Sequence, residues 1–425
     1  MTSGTVNPVS TNEIRVAAAQ VNTTVGDIDG NTRIIEKWIK LSQDQQAELV
    51  AFPELTITGY PPEDLVLYDN FIAANKIALH RIAAKVENIV ALVGFVDSED
   101  GRLFNSAAVL HQGKIVTTYR KIHLPNYGVF DERRYFTPGE ECPIISINGI
   151  KVGINICEDI WEPIGPAEVQ CRSGAQIIIN LNSSPYELGK HRHREKIVSD
   201  LSRRNHVYTL YTNQIGGQDE LVFDGGSMLV DPDGNLMGSA ARFEESLLVA
   251  DINTDPKKNS LSRLQNYRVS NKNLAQVGKS STIEIPTTKP RKTLSNLPEL
   301  SISHLGRLES VYQALIIGTR DYLKKTGFKK VIIAVSGGID SALVTTIATD
   351  AIGANLVSAA QSKLDGALQA CALVGVDPAN VATVGNLRAR IVELQDNLDV
   401  SNSDEAVTFA LAILPLNKRK HNKRS

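Results

Sequence analysis

The sequence predicts a layered α/β domain followed by a smaller α/β domain, on three observations. From Ile14 to about Ile252, short β-branched apolar runs alternate with segments of helical spacing. Between Asn253 and Leu300 the composition turns to Lys, Ser, Asn, Thr and Pro, which reads as a connector. After Leu300 an amphipathic helix, a strand, a glycine turn and a second helix follow in order. The expected domains are therefore 14–252, the connector 253–300, and 301–425.

In chain order, "IRVAAAQV" predicts a buried strand, "NTRIIEKWIKLSQDQQ" a helix opened by Asn31, and "ELVAFPEL" a second strand. Residues 71–87 carry helical spacing, and "IVALVGFV" is another strand. Two hairpins are expected to turn at Gln112-Gly113 and Asn148-Gly149. Beyond them come the strand "AQIIINLNSS", a charged helix over 188–204, the strand "HVYTLYTNQIG" and a hairpin around Asp233-Gly234. In the second domain a helix over 304–325 precedes the strand "KKVIIAV". The first dozen residues are polar and read as a frayed lead-in; "NKRKHNKR" near the end reads as a solvated basic tail.

Composition narrows the function classes. With 45 basic and 47 acidic residues the formal net charge is −2, so no overall field draws the chain to nucleic acid or anionic lipid. No signal peptide and no apolar run of about 18 residues is expected, which argues against a membrane span. Cys142, Cys157, Cys171 and Cys371 show no CxxC spacing, pointing to free thiols and a cytoplasmic location. His191 and His193 do not share a helix face, so metal binding by that pair is disfavoured.

Three stretches leave an ionisable residue beside a strand end: Glu54 in "AFPELTITGYPPEDL", Lys121 in "KIHLPNYGVFDERRYFTPG" and Cys157 in "GINICEDIW". Singly each has an ordinary reading, as a turn cap, an exposed lysine and a small core residue. Together and in this order they resemble the nitrilase, or carbon-nitrogen hydrolase, superfamily over most of 14–252. The resemblance implies a four-layer αββα sandwich with Glu54, Lys121 and Cys157 as the catalytic residues of an amidase. A thiol with a free pKa of about 8.5 needs a base to serve as a nucleophile near neutrality. Glu54 would take that proton, Cys157 would attack the amide carbon, and Lys121 with a backbone N–H would stabilise the oxyanion.

Glutamine-using members of the superfamily also hold the substrate's ammonium and carboxylate. By that resemblance Tyr127, Glu158, Ser184 and Lys190 would line the glutamine pocket, with Lys190 facing the carboxylate and Glu158 near the ammonium. Glu132 would position either Lys121 or the substrate.

"VIIAVSGGIDSALV" is a strand, a Gly-Gly turn and a helix start. It reads either as a plain βα turn or, by resemblance to SGGxDS, as the pyrophosphate loop of enzymes that cleave ATP to AMP and pyrophosphate. In the second reading Ser336, Gly337, Gly338, Asp340 and Ser341 would bind ATP, and Asp340 would help hold Mg2+. An amidase domain fused to such a Rossmann-like domain resembles the glutamine-dependent NAD synthetase family. That family implies glutamine, deamido-NAD and ATP as substrates, no prosthetic group, an internal ammonia tunnel, and homo-oligomers.

After about Gly353 the pattern shortens. "GNLRARI" arrives early, and the later blocks that complete a synthetase site are not recognisable. A truncated or divergent synthetase domain is expected. A glutaminase with a vestigial second domain, and a non-catalytic remnant or partner subunit, are the alternatives.

Overall fold

The structure, a computed structural model, describes residues 12–255, 276–286, 297, 299–334, 339–360 and 409–410. The expected lead-in up to residue 11, the basic tail, "GNLRARI", Cys371, Ser336, Gly337 and Gly338 lie outside the described residues. The chain divides into two compact units, Met1–Ala314 and Leu315–Ser425.

The first unit begins with β1 (Glu13–Gln20), α1 (Ile28–Asp44), β2 (Leu49–Ala51), α2 (Asp69–Ala83), β3 (Val90–Glu99), β4 (Arg102–His111) and β5 (Lys114–Arg120). It continues with β6 (Ile144–Ile147), β7 (Ile150–Ile156), α3 (Pro166–Arg172), β8 (Ile177–Asn182), α4 (Lys190–Asn205) and β9 (Tyr208–Asn213). Last come β10 (Ile215–Gln218), β11 (Leu221–Asp224), β12 (Met228–Val230), β13 (Leu236–Ser239), β14 (Ser246–Asn253) and β15 (Thr282–Ile285).

Two mixed sheets result, ordered β14-β1-β2-β3-β4-β5 and β13-β12-β9-β8-β7-β6-β15. The inner faces meet in one apolar core, with Val16, Leu92 and Val109 of the first sheet packed among Val152, Ile179 and Leu210 of the second. The outer face of the first sheet is covered by α1 and α2 through Ile35, Trp38, Leu79 and Ile82. The outer face of the second meets α3 and α4 through Ala167, Val198 and Leu201. Strands buried on both faces account for their near-continuous apolar runs. This is the four-layer αββα order.

Several boundaries differ from the sequence reading for identifiable reasons. α1 starts before Asn31: Asp27 is its cap, accepting the Gly30 N–H at 2.9 Å. Asn31 is buried, donating to the carbonyls of Thr24 and Ile57 and accepting the Thr24 N–H. β2 ends at Ala51; the Phe52 N–H still donates to the Leu92 carbonyl, and the chain then leaves the sheet in a turn over 54–58. The expected connector contributes β15, which runs parallel to β6 at the sheet edge. A hairpin absent from the sequence reading turns at Asp100-Gly101 between β3 and β4.

The second unit, taken by itself, has a parallel sheet ordered β17-β16-β18. Its strands are β16 (Val331–Ala334), β17 (Val357–Ala360) and β18 (Phe409–Ala410). α5 (Arg307–Thr326) runs across the division at Ala314, and α6 (Ile339–Ile352) packs beside β16 and β17 through Val344 and Ala348.

Asn31→Ala would leave the buried Ile57 carbonyl and the part-buried Thr24 N–H and carbonyl without this partner, which costs about 2 kcal/mol. Both tryptophans, Trp38 and Trp161, lie in the first unit. Their fluorescence should therefore report a lower urea midpoint for this variant; an unchanged midpoint would contradict the assignment.

Candidate active site

Four strands deliver the site. β2, β5, β7 and β8 each end one to three residues before Glu54, Lys121, Cys157 and Ser183 respectively. β2 and β5 run in the same direction in one sheet, and β7 and β8 run parallel in the other. Side chains at their carboxyl ends therefore converge, the place where α/β sheets offer sites.

Glu54 and Lys121 are both fully buried, at 0% exposure. The Lys121 ammonium donates to Glu54 Oε1 at 2.7 Å and to Glu132 Oε1 and Oε2 at 2.8 and 2.9 Å. Glu132 is thus brought onto Lys121. Burial alone would lower the Lys121 pKa, but the Glu132 and Glu54 carboxylates lift it well above the ordinary range, so it stays charged. Burial in turn raises the Glu132 carboxyl, to about 6.

Further donors hold the carboxylates. Asn105 Nδ2 donates to Glu54 Oε1 at 2.7 Å and to Glu132 Oε2 at 3.3 Å; the Tyr60 hydroxyl donates to Glu132 Oε1 at 3.0 Å. Glu54 Oε2 accepts the Ser183 N–H at 3.2 Å. A carboxylate oxygen has about two acceptor sites, so Oε2 keeps one for an incoming proton. Sequence reasoning missed Asn105, Ser183 and Tyr60. The one available signal was a polar residue inside an apolar strand, as in "FNSAAV".

Cys157 opens the short 3-10 turn Cys157–Ile160 in the left-handed region, at φ +44°. For a non-glycine residue this conformation costs about 1–2 kcal/mol and marks an over-determined position. The thiol is 3% exposed. Burial pushes it well above the usual thiol range; Glu54 adds to that and Lys121 opposes it. The resting group is a thiol, and reaction requires a base to take its proton.

Cys157 opens onto a cavity of about 540 Å³ whose walls include Tyr127, Glu158, Ser184 and Lys190. Phe130 and Trp161 supply aromatic walls, and Glu187 and His193, absent from the sequence expectation, also line it. The Tyr127 hydroxyl donates to Glu158 Oε2 at 2.9 Å, and burial raises the Glu158 carboxyl. Lys190 Nζ lies 5.7 Å from the Phe130 ring centre and 6.0 Å from that of Trp161; burial lowers its pKa. The cavity thus presents two carboxylates, Glu158 and Glu187, one amine, Lys190, and the Cys157 thiol. In the second unit Asp340 is exposed in the first turn of α6 and Ser341 is half-buried. Among the described residues no three His, Cys, Asp or Glu side chains gather as a metal site.

Two close approaches fix the cage. A Cβ on Gly94 would lie 2.4 Å from Leu55 N and 2.5 Å from Pro53 O, so β3 can back the Glu54 turn only as glycine. A Cβ on Gly139 would lie 2.2 Å from Arg120 O, beside Lys121. Gly94→Ala should displace Glu54 and reduce amide hydrolysis at Cys157 by about a hundredfold in folded protein. Unaltered turnover would contradict this. The same hydrolysis should fall as pH drops through about 6, where Glu132 takes a proton and loosens its hold on Lys121. A rate that stays flat to pH 5 would contradict it.

Among the described residues no helix is long and apolar enough to cross a membrane, and Cys142, Cys157 and Cys171 are free. Residues 311–369 match the NAD synthase family. The chain is 42% identical over 352 residues to the glutamine-dependent NAD(+) synthetase of Thermotoga maritima, covering 80% of this chain and 58% of that protein. The enzyme of the same name from Acinetobacter baylyi is 36% identical, covering 81% and 57%. The chain thus spans little more than half the length of these curated relatives. The glutamine-dependent NAD+ synthetase of Acinetobacter baumannii, solved with adenosine diphosphate, superposes with a TM-score of 0.67 at 34% identity, covering 86% of this chain and 64% of that one. A nitrilase-superfamily amidase from Nesterenkonia AN1 superposes with a TM-score of 0.52 at 25% identity, covering 59% and 94%. The carbon-nitrogen hydrolase family matches residues 15–256, more than half of the sequence, and the chain belongs to that family.

Proposed function

We propose that the protein is a glutamine-dependent NAD synthetase, with 14–252 as its glutaminase, 253–300 as connector and 301–425 as synthetase domain. The observation that carries this reading is the cavity holding Cys157 with Glu158 and Lys190, in a chain that also matches the NAD synthase family over 311–369. An amino-acid amide needs a counter-charge at each end and a nucleophile at its amide, and this cavity offers all three.

Glu54 Oε2 takes the Cys157 proton as the sulfur attacks the glutamine amide carbon. Lys121 has three N–H donors; with one on Glu54 and one shared by the two Glu132 oxygens, the third is left for the oxyanion. The Glu158 N–H, in the first turn after Cys157, is a second donor. Glu54 returns the proton to the leaving ammonia, then activates the water that cleaves the thioester to glutamate. Tyr127 orients Glu158 toward the substrate ammonium, Lys190 meets its carboxylate, and Ser184 lines the wall between them.

In the second unit ATP adenylylates the nicotinate carboxylate of deamido-NAD, releasing pyrophosphate; ammonia then displaces AMP to give NAD. Ser336, Gly337, Gly338 and Ser341 would bind the ATP phosphates, and Asp340 would offer an exposed hard oxygen ligand to a phosphate-bound Mg2+. The reaction is assigned to the cytoplasm, in a homo-oligomer.

With glutamine, ATP, magnesium and deamido-NAD the purified chain should form NAD, AMP and pyrophosphate. Cys157→Ala should abolish the glutamine-supported reaction and spare the ammonia-supported one. Ammonia release from glutamine with no NAD from either donor would instead identify a glutaminase with a vestigial second domain. No turnover of any substrate would leave a non-catalytic partner.

A further inference from the structure

Two residues beyond Cys157, Asp159 is buried at 0% exposure and takes no part in the Glu54–Lys121–Glu132 cage. Its Oδ2 accepts the Ile156 N–H at 2.9 Å and the Tyr119 hydroxyl at 2.6 Å. Its Oδ1 accepts the His123 N–H at 2.9 Å and the Ile122 N–H at 3.2 Å. Four donors are the full complement of a carboxylate.

These donors come from both sheets. Tyr119 lies in β5, and Ile122 and His123 follow directly on Lys121, whereas Ile156 ends β7 and immediately precedes Cys157. The Ile122 N–H belongs to the peptide unit of Lys121 itself. One carboxylate therefore grips the backbone beside the ammonium and the backbone beside the thiol.

We propose that Asp159 is a positioning residue for amide hydrolysis: it ties the Lys121 end of one sheet to the Cys157 turn of the other and keeps ammonium and thiol in reacting register. For its substrate this rests on the glutamine-hydrolysing function above; for its effect on the thiol it does not.

The thiol is the reporter. Burial above all, and then Glu54, Glu132 and Glu158, raise its pKa and Lys121 lowers it, while Tyr60, Tyr127, Lys190, Arg194 and Tyr211 lie near enough to interact with its charge. If Asp159 sets the place of Lys121, losing the clip moves the ammonium away and the thiol titrates at higher pH. Neutralising Asp159 alone, or loosening the whole domain, moves it the other way, toward the free-thiol value of about 8.5.

The test alkylates the full chain with iodoacetamide across pH, reads Cys157 by peptide mass spectrometry, and measures melting and glutamine turnover in parallel. In D159N the midpoint should rise by about one unit, making alkylation at pH 8 about tenfold slower. The kcat for glutamine should fall far more than KM rises. Y119F keeps the charge and three of the four bonds, and should slow alkylation about threefold in the same direction. A midpoint in folded D159N that stays put or moves down overturns the proposal. Should D159N fail to fold, an unchanged profile in Y119F does so by itself. A wild-type chain that releases no ammonia from glutamine would overturn the proposed function, while the alkylation profiles still decide the role of Asp159.

Discussion

The first unit is organised around one buried ammonium. Lys121 carries its charge at 0% exposure, and two carboxylates, Glu54 and Glu132, lie within 2.9 Å of it. A buried pair of this kind contributes little net stability, because desolvation offsets the attraction; removing one partner is what costs. Its value is geometric. Each charge holds the others in place only while all three are present, and Asn105, Tyr60 and the Ser183 N–H donate to the same carboxylates while leaving one acceptor site on Glu54 Oε2. Burial first, and then the Glu54 and Glu132 carboxylates against the opposing pull of Lys121, hold the Cys157 thiol well above the usual thiol range, so a base beside it is needed for reaction.

The two-sheet architecture makes this cage possible. Facing sheets bring the carboxyl ends of β2 and β5 opposite those of β7 and β8, so residues more than a hundred positions apart interact directly, as Glu54 does with Ser183 and Cys157. Ser183 shows the link most directly: its N–H meets Glu54 Oε2 and its hydroxyl donates to the Glu54 carbonyl across 129 residues of sequence. The helices do not enter the cage; they cover the outer sheet faces, and α4 additionally presents Lys190 at its first turn.

Much of this was legible in sequence wherever the signal was local. Strand periodicity and the Asn148-Gly149 hairpin are short-range patterns, whereas Glu54, Lys121 and Cys157 each have an ordinary local reading and stand out only because their three stretches, in order, resemble one family. Asn31 misled because an asparagine ahead of an apolar-periodic run resembles a cap, while the helix starts a turn earlier at Asp27 and uses Asn31 to tie down two backbone carbonyls. Asn105, Tyr60 and Asp159 were not legible because all of the partners of the first two, and three of the four of Asp159, are distant in sequence, and a buried polar side chain reads the same with or without one. β15 was hidden in polar composition, since an edge strand with three of four residues at least partly exposed carries little apolar pattern.

The account turns on Cys157 as the nucleophile. Acid-quenched protein incubated with glutamine, digested and examined by mass spectrometry, tests it most directly. The predicted result is a γ-glutamyl thioester on the peptide carrying Cys157 and on no peptide carrying Cys142, Cys171 or Cys371. Ammonia release with no adduct at Cys157, or an adduct at another cysteine, would contradict it.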